Sequence, residues 1–244
     1  MAAREPLTPG RRRLLGEEIL VVLSLSLLAS AVYAIIDLFS APVKGVTAVT
    51  FPQVPLAPQI AGIAFGLAPV WLVFHLLRRD GLGTEHIGLP AKPPARALAA
   101  GVLLFAVVGA VGLGVYFGAV ALGVNRFVVP VPPTGYWWTL PVLFLGAAQV
   151  ALLEEVVDLG YLMTRLRESG WGPGPVLAAS ALLRGSYHLY QGWGGFVGNL
   201  LLGVFFGILF LRRGRLWPMV IAHFLLDVGA GVGYLVFRGH LPGL

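Results

Sequence analysis

Seven ionisable side chains in the C-terminal part of this chain fall at spacings that group them on helix faces. They are Glu154, Glu155 and Asp158, then Arg184 and His188, then His223 and Asp227. Residues three and four apart share a helix face. Glu154 and Glu155 therefore each align with Asp158, Arg184 aligns with His188, and His223 aligns with Asp227. Each group interrupts an apolar run, so each helix offers one polar stripe on an otherwise apolar cylinder. Four carboxylates face one arginine and two histidines. With every acid ionised and both histidines neutral, the set carries a net charge of −3, which an apolar interior does not sustain. Protons, charged imidazoles or a bound cation must compensate. Each has a chemical use. A carboxylate that exchanges a proton serves as a general base, and two histidines with a glutamate form the ligand set of a catalytic zinc site. Spacing alone leaves hydrolysis, ion or proton transport, and a structural polar network open. Transporters place discontinuous helices in matching halves, and here the polar residues lie in one half only.

The elements that carry these residues are membrane spans. Of the 244 residues, 57% are hydrophobic and 11% are charged, against about 25% charged in a soluble domain. Mean hydropathy is +0.85. Within a bilayer every backbone group must pair internally, which leaves helices or a closed barrel. The apolar runs are continuous rather than alternating, which selects helices. About 20 apolar residues cross a bilayer, and seven segments qualify, at roughly 16–38, 57–77, 97–123, 137–163, 174–191, 195–211 and 216–237. The expected fold is an all-α polytopic transmembrane bundle of about seven helices, within a range of six to eight. Its divisions are a cytoplasmic tail over 1–15, N-terminal helices over 16–136 and a C-terminal core over 137–237 that carries the polar stripes.

The basic residues orient the bundle. With the N-terminus in the cytoplasm, Arg4, Arg11, Arg12, Arg13, Arg78, Arg79, Lys92, Arg96, Arg165, Arg167, Arg212, Arg213 and Arg215 fall inside. Only Lys44, Arg126 and Arg238 fall outside, and Arg184 lies within a span. This is the positive-inside pattern of a multi-pass cell-membrane protein. It accounts for the net charge of +6 without nucleic acid as a partner. The chain has no cysteine, which excludes disulfides, thiol catalysis and cysteine-held metals. Ala29-Ser30-Ala31 resembles a signal-peptide cleavage site, but the apolar stretch before it is longer than a usual h-region.

Lesser features read structurally. Glu17 and Glu18 are expected to start the first helix, where acids suit the positive dipole end. Asp37 and His75 are expected near span ends, and Trp137 and Trp138 as an interfacial anchor. The pairs Gly62/Gly66, Gly114/Gly118 and Gly203/Gly207 would let helices approach closely. Segments 41–56 and 124–136 read as Pro-rich external loops. Gly229, Gly231 and Gly233 lack a preceding strand and are not a nucleotide loop.

The polar segments resemble the CAAX protease/bacteriocin-processing family of intramembrane proteases, also called Abi. Leu153-Glu154-Glu155-Val156-Val157-Asp158-Leu159-Gly160 resembles its first motif. Ser180 through His188 resembles the second, and His223 through Asp227 the third. The resemblance covers roughly 137–237. It implies hydrolysis of a peptide bond near the cytoplasmic membrane face, with a peptide or membrane-protein substrate. It implies that Glu154 activates a water with help from His188, that Glu155 is its partner, and that His223 and Asp227 stabilise the oxyanion or bind metal. The family is described both as metalloprotease and as glutamate-dependent. A divalent metal such as zinc on Glu154, His188 and His223 is therefore one expectation and a metal-free site the other. An ionised Asp227 cannot donate to an oxyanion, which favours the metal. Two positions depart from the pattern. Leu159 stands where the first motif usually has arginine, and Arg184 where the second usually has an aromatic residue. Arg184 is accordingly expected to supply the missing positive charge from the fifth helix by pairing with Asp158 or Glu155. The alternative reading is a catalytically inactive relative acting as a membrane binding or immunity factor, or a transporter.

Overall fold

The computed structural model describes residues 8–45, 47–49, 55–130 and 136–237. Arg4 and Arg238, two of the orienting basic residues, lie outside them. Helix follows helix along the chain: α1 (Pro9–Ser24), α2 (Leu27–Ser40), α3 (Leu56–Gly66), α4 (Ala68–Arg79), α5 (Ala95–Ala121), α6 (Thr139–Glu154), α7 (Met163–Glu168), α8 (Pro173–Tyr187), α9 (Trp193–Arg213) and α10 (Trp217–Phe237). A π-helical segment, Glu155–Leu162, joins α6 to α7. Short 3-10 turns occupy Thr84–Ile87 and Leu189–Gln191.

Five continuous stretches are long and apolar enough to cross a membrane: Leu56–Arg79, Ala95–Ala121, Thr139–Glu168, Trp193–Arg213 and Trp217–Phe237. The bent pair α1 and α2 makes a sixth if it counts as one span. The remaining expected segment, 174–191, coincides with α8, whose 15 residues are short of the roughly 20 that a full crossing needs. The all-α polytopic architecture stands, and the protein is a multi-pass membrane protein. Two expected loops add a small element. Strand β1 (Thr47–Val49) pairs in parallel with β2 (Phe127–Val129), with Thr47 opposite Phe127.

The bends have local causes. α1 and α2 meet at 51° at Ser26, whose hydroxyl donates to Val22 O at 2.6 Å and so competes with the backbone ladder. Pro69 sits at the start of α4 and cannot donate to the preceding turn. α1 also begins earlier than expected, because Thr8 caps it by accepting from Arg11 N at 3.3 Å with Pro9 at the first turn. Glu17 and Glu18 are consequently mid-helix, correcting their expected place at a helix start. Glu17 pairs with Arg13 one turn back at 3.0 Å, and Glu18 is buried against Arg79.

The core is built around the π segment, all eight of whose residues are buried. Val156, Val157, Leu159 and Tyr161 pack with Val73 and Leu77 of α4, Val176 of α8, Phe206 of α9 and Met219 of α10. The outer faces are apolar too. Tyr33, Phe39, Phe65, Leu122 and Trp137 are all exposed, as suits a surface solvated by acyl chains rather than water. The glycine pairs divide. A Cβ on Gly203 or Gly207 would meet Ala181 or Leu177 of α8, so these two do permit close helix approach. Gly114 and Gly118 have open space around them, because α5 buries only Ala97 and Gly101 and turns its far end outward. Gly62 is likewise open, while its partner Gly66 meets Gln149 of α6.

Candidate active site

The first acidic motif lies where the helix changes its winding. Glu154 ends α6 and Glu155 opens the π segment. Met163 N–H reaches back five residues to Asp158 O, the pattern that defines a π turn and that recurs at functional sites. The wider turn packs closely. A Cβ at Gly160 would stand 3.0 Å from Leu216 and 3.4 Å from Ile87.

Two other helices bring their polar residues onto this segment. Arg184, near the end of α8, donates from Nη2 to Glu155 Oε1 at 2.7 Å. Its Nη1 is 3.6 Å from Glu154 Oε2 and its Nε is 3.6 Å from Asp158 Oδ2. His223 of α10 reaches the same Glu155 Oε1 through Nδ1 at 2.7 Å. Its Nε2 lies 3.6 Å from Asp227 Oδ2 and 4.0 Å from Glu154 Oε2. Tyr187 donates to Glu154 Oε2 at 2.8 Å. His188 caps α8, and its ring packs against Tyr187 with centroids 4.7 Å apart. Its Nδ1 donates to Arg184 O at 2.9 Å. A carbonyl can only accept, so the proton is on Nδ1 and Nε2 is left as an acceptor in the neutral ring. Glu154, Arg184 and His223 all lie within electrostatic reach of His188.

Expected residues thus meet in one cluster, with graded access. Glu155, Asp158 and Arg184 are essentially sealed, the side chains of Glu154 and His223 keep 11% exposure, and that of Asp227 keeps 37%. The cluster opens along Glu154, His223 and Asp227 and closes behind Glu155 and Asp158. Burial of this kind requires mutual compensation of charge. Arg184 supplies it, in contact with all three acids of the first motif, in agreement with the pairing expected for it.

Depth follows from helix rise. At 1.5 Å per residue, His223 lies about 9 Å along α10 from Trp217, and Arg184 about 16 Å along α8 from Pro173. Both starting points are at the end of the bundle that carries Arg165, Arg212, Arg213 and Arg215. Within a core roughly 30 Å thick, His223 sits in the half nearer that basic end and Arg184 sits close to the middle.

Among the described residues no three His, Asp or Glu side chains are grouped as a metal ion requires. The Arg184 guanidinium stands among the acids where a cation would. Among the described residues, Glu154, His188 and His223 in this arrangement do not fit a divalent ion.

Sequence reasoning missed Tyr187 and Ser180. Tyr187 is buried, and a tyrosine hydroxyl at that depth needs a polar partner, which was the available signal. Ser180 is fully buried one turn before Arg184, with its hydroxyl beside Asp158. A second network at the basic end was missed as well. Asp80 accepts from Arg11 at 2.5 Å and from Arg165 at 2.7 Å, Arg165 donates to Glu168 at 2.8 Å, and His86 Nε2 meets Glu168 at 2.6 Å. These bonds fasten α1, α4, the Thr84–Ile87 turn and α7 together. At the opposite end, Asp37 pairs with Arg126, which also donates to Tyr190 O at 2.8 Å and Ala41 O at 3.1 Å. His75 is exposed.

Residues 136–229 match the family model described as type II CAAX prenyl endopeptidase Rce1-like. That segment contains all three motifs and every residue of the cluster. The match agrees, over this segment, with the resemblance to a CAAX protease family read from the motifs. Neither a curated protein nor a solved structure gives a significant match to the chain.

Proposed function

Because residues 136–229 carry the Rce1-like signature of a protease family, we propose that this membrane protein is an intramembrane endopeptidase. Its catalytic core is 137–237, and its N-terminus and basic end face the cytoplasm. The observation that supports the reading most is the shared oxygen of Glu155, which holds Arg184 and His223 at 2.7 Å each. That oxygen ties α8 and α10 to the π segment and leaves Glu154 and His223 Nε2 on the accessible side.

Roles follow from access and bonding. Glu154 is the general base. Tyr187 fixes its Oε2, and its other oxygen takes a proton from a water that His188 Nε2 helps to hold. The hydroxide adds to the scissile carbonyl carbon. His223, bearing a proton on Nε2, donates to the developing oxyanion. When the tetrahedral intermediate collapses, the C–N bond breaks and the proton on Glu154 passes to the leaving amine. Glu155 does not touch substrate. It is a positioning residue, fixing the His223 ring through Nδ1 as the buried aspartate of a serine-protease triad fixes its histidine. Asp227 stabilises the charged imidazole. Arg184 neutralises the acids, in place of the arginine that Leu159 replaces.

The test compares membrane peptides from cells carrying the wild-type chain with those from cells carrying Glu154→Gln. An enzyme loses specific cleavages while the variant stays folded. Identical peptide sets from the two would favour the second reading, an inactive relative that binds without turnover. Leu159 at the motif arginine position is the feature that supports that reading.

A further inference from the structure

A second polar site lies at the basic end, where α5 and α10 begin side by side. Gly101 brings them together. A Cβ there would stand 2.6 Å from Ile221 Cβ and 3.1 Å from Pro218 O, so only a glycine allows this approach. Below the contact is a cavity of about 110 Å³. Its wall is formed by Pro90, Pro94 and Ala97 on one side and Trp217 on the other, with Arg96 and Arg215 contributing both of its charges. No acid lines it. The loop that floors it is fixed, since Trp217 Nε1 donates to Pro90 O at 2.7 Å and Leu216 N to Gly88 O at 2.8 Å.

The electrostatics have one sign. Arg96 and Arg215 have no hydrogen-bond or ion-pair partner among the described residues, unlike Arg11, Arg79, Arg126, Arg165 and Arg184. Neither α5 nor α10 has an acid in its first turn, so the positive dipole ends of both helices face the same region uncompensated. An anion is the complement of two unpaired guanidinium groups beside two helix N-termini. Its source follows from position. Both helices are spans, their N-termini lie at the membrane–water boundary, and Trp217 is the residue type that settles at headgroup level. We infer that Arg96, Arg215 and Trp217 form a binding site for the phosphate of an anionic phospholipid headgroup. The bound lipid would sit at the foot of α10, six residues before His223.

The site is tested on the full chain in nanodiscs of phosphatidylcholine with phosphatidylglycerol, reading retained lipid by native mass spectrometry. The wild type should retain phosphatidylglycerol in preference to phosphatidylcholine. Arg96→Gln with Arg215→Gln should weaken that retention about tenfold or more, since each basic residue near the surface contributes on the order of 1 kcal/mol. Arg78→Gln with Arg167→Gln removes from the same end two charges that are exposed like Arg96 and Arg215 but do not line the cavity, and should leave retention unchanged. Equal loss in both double variants would reduce the effect to general surface charge and overturn the site, as would no loss in the first. Complete displacement of the lipid by inorganic phosphate would overturn the lipid assignment. An unchanged circular dichroism melt for the first variant separates lost binding from lost folding. Because lipid is the readout, the result is independent of whether the chain cleaves peptides.

Discussion

Arg184 and Glu155 form the buried ion pair on which the polar cluster turns: Nη2 lies 2.7 Å from Oε1, with the side chains 1% and 0% exposed. Removing either partner strands a charge in an apolar interior. Arg184→Phe should therefore destabilise the protein by roughly 3–5 kcal/mol and abolish cleavage. If Arg184 replaces the charge usually found at 159, Leu159→Arg together with Arg184→Phe should recover activity. Thermal melts and peptide cleavage on the single and double variants check this, and a double variant no better than the single would end the exchange idea.

Glu154→Gln keeps the shape of the base and removes its ability to take a proton. Turnover should fall to background while the melting temperature changes little, because the amide oxygen still accepts from Tyr187. A variant that cleaves at the wild-type rate would remove Glu154 from the role of base.

Tyr187→Phe deletes one hydrogen bond to a carboxylate, an interaction of about 1.5–3 kcal/mol. The loss should appear mainly in kcat, with KM nearly unchanged, because the hydroxyl aims the base rather than binding substrate. An equal effect on both constants would point to a packing role instead.

With Arg184 among the acids, cleavage should persist after exhaustive treatment with a divalent-metal chelator. Loss of activity that zinc restores would show that the donors rearrange around an ion.

Asp80 provides a pH test away from the site. Burial opposes its ionisation, but Arg165 and Arg11 outweigh that cost and hold its carboxyl below the ordinary 3.8. A depressed folded-state value means the contribution is complete above the unfolded value and fades as pH falls through the folded one. Asp80→Asn should therefore lower the melting temperature at neutral pH. The gap to wild type should narrow as both are acidified below about pH 4. A gap independent of pH would assign the effect to packing.

Much of this protein is written along the chain. Continuous apolar runs have no alternative to membrane helices, since an unpaired backbone group in lipid costs several kcal/mol. Spacings of three and four fixed which acids and imidazoles share a face, because helical geometry is local. The positions of Thr8 and Ser26 held the true start of α1 and its bend, in signals weaker than the hydrophobic run around them. Other features belong to the tertiary structure alone. That Glu155 rather than Asp158 takes both Arg184 and His223, and that Tyr187 secures Glu154, depends on the axial offset of α8 and α10 against the π segment. Steric contacts such as Gly203 on Ala181 set offsets of this kind, and no residue spacing encodes them. The same holds for Gly101, whose missing side chain decides how closely α5 approaches α10. Composition and period determine which elements form, whereas packing between elements distant in sequence decides which atoms meet.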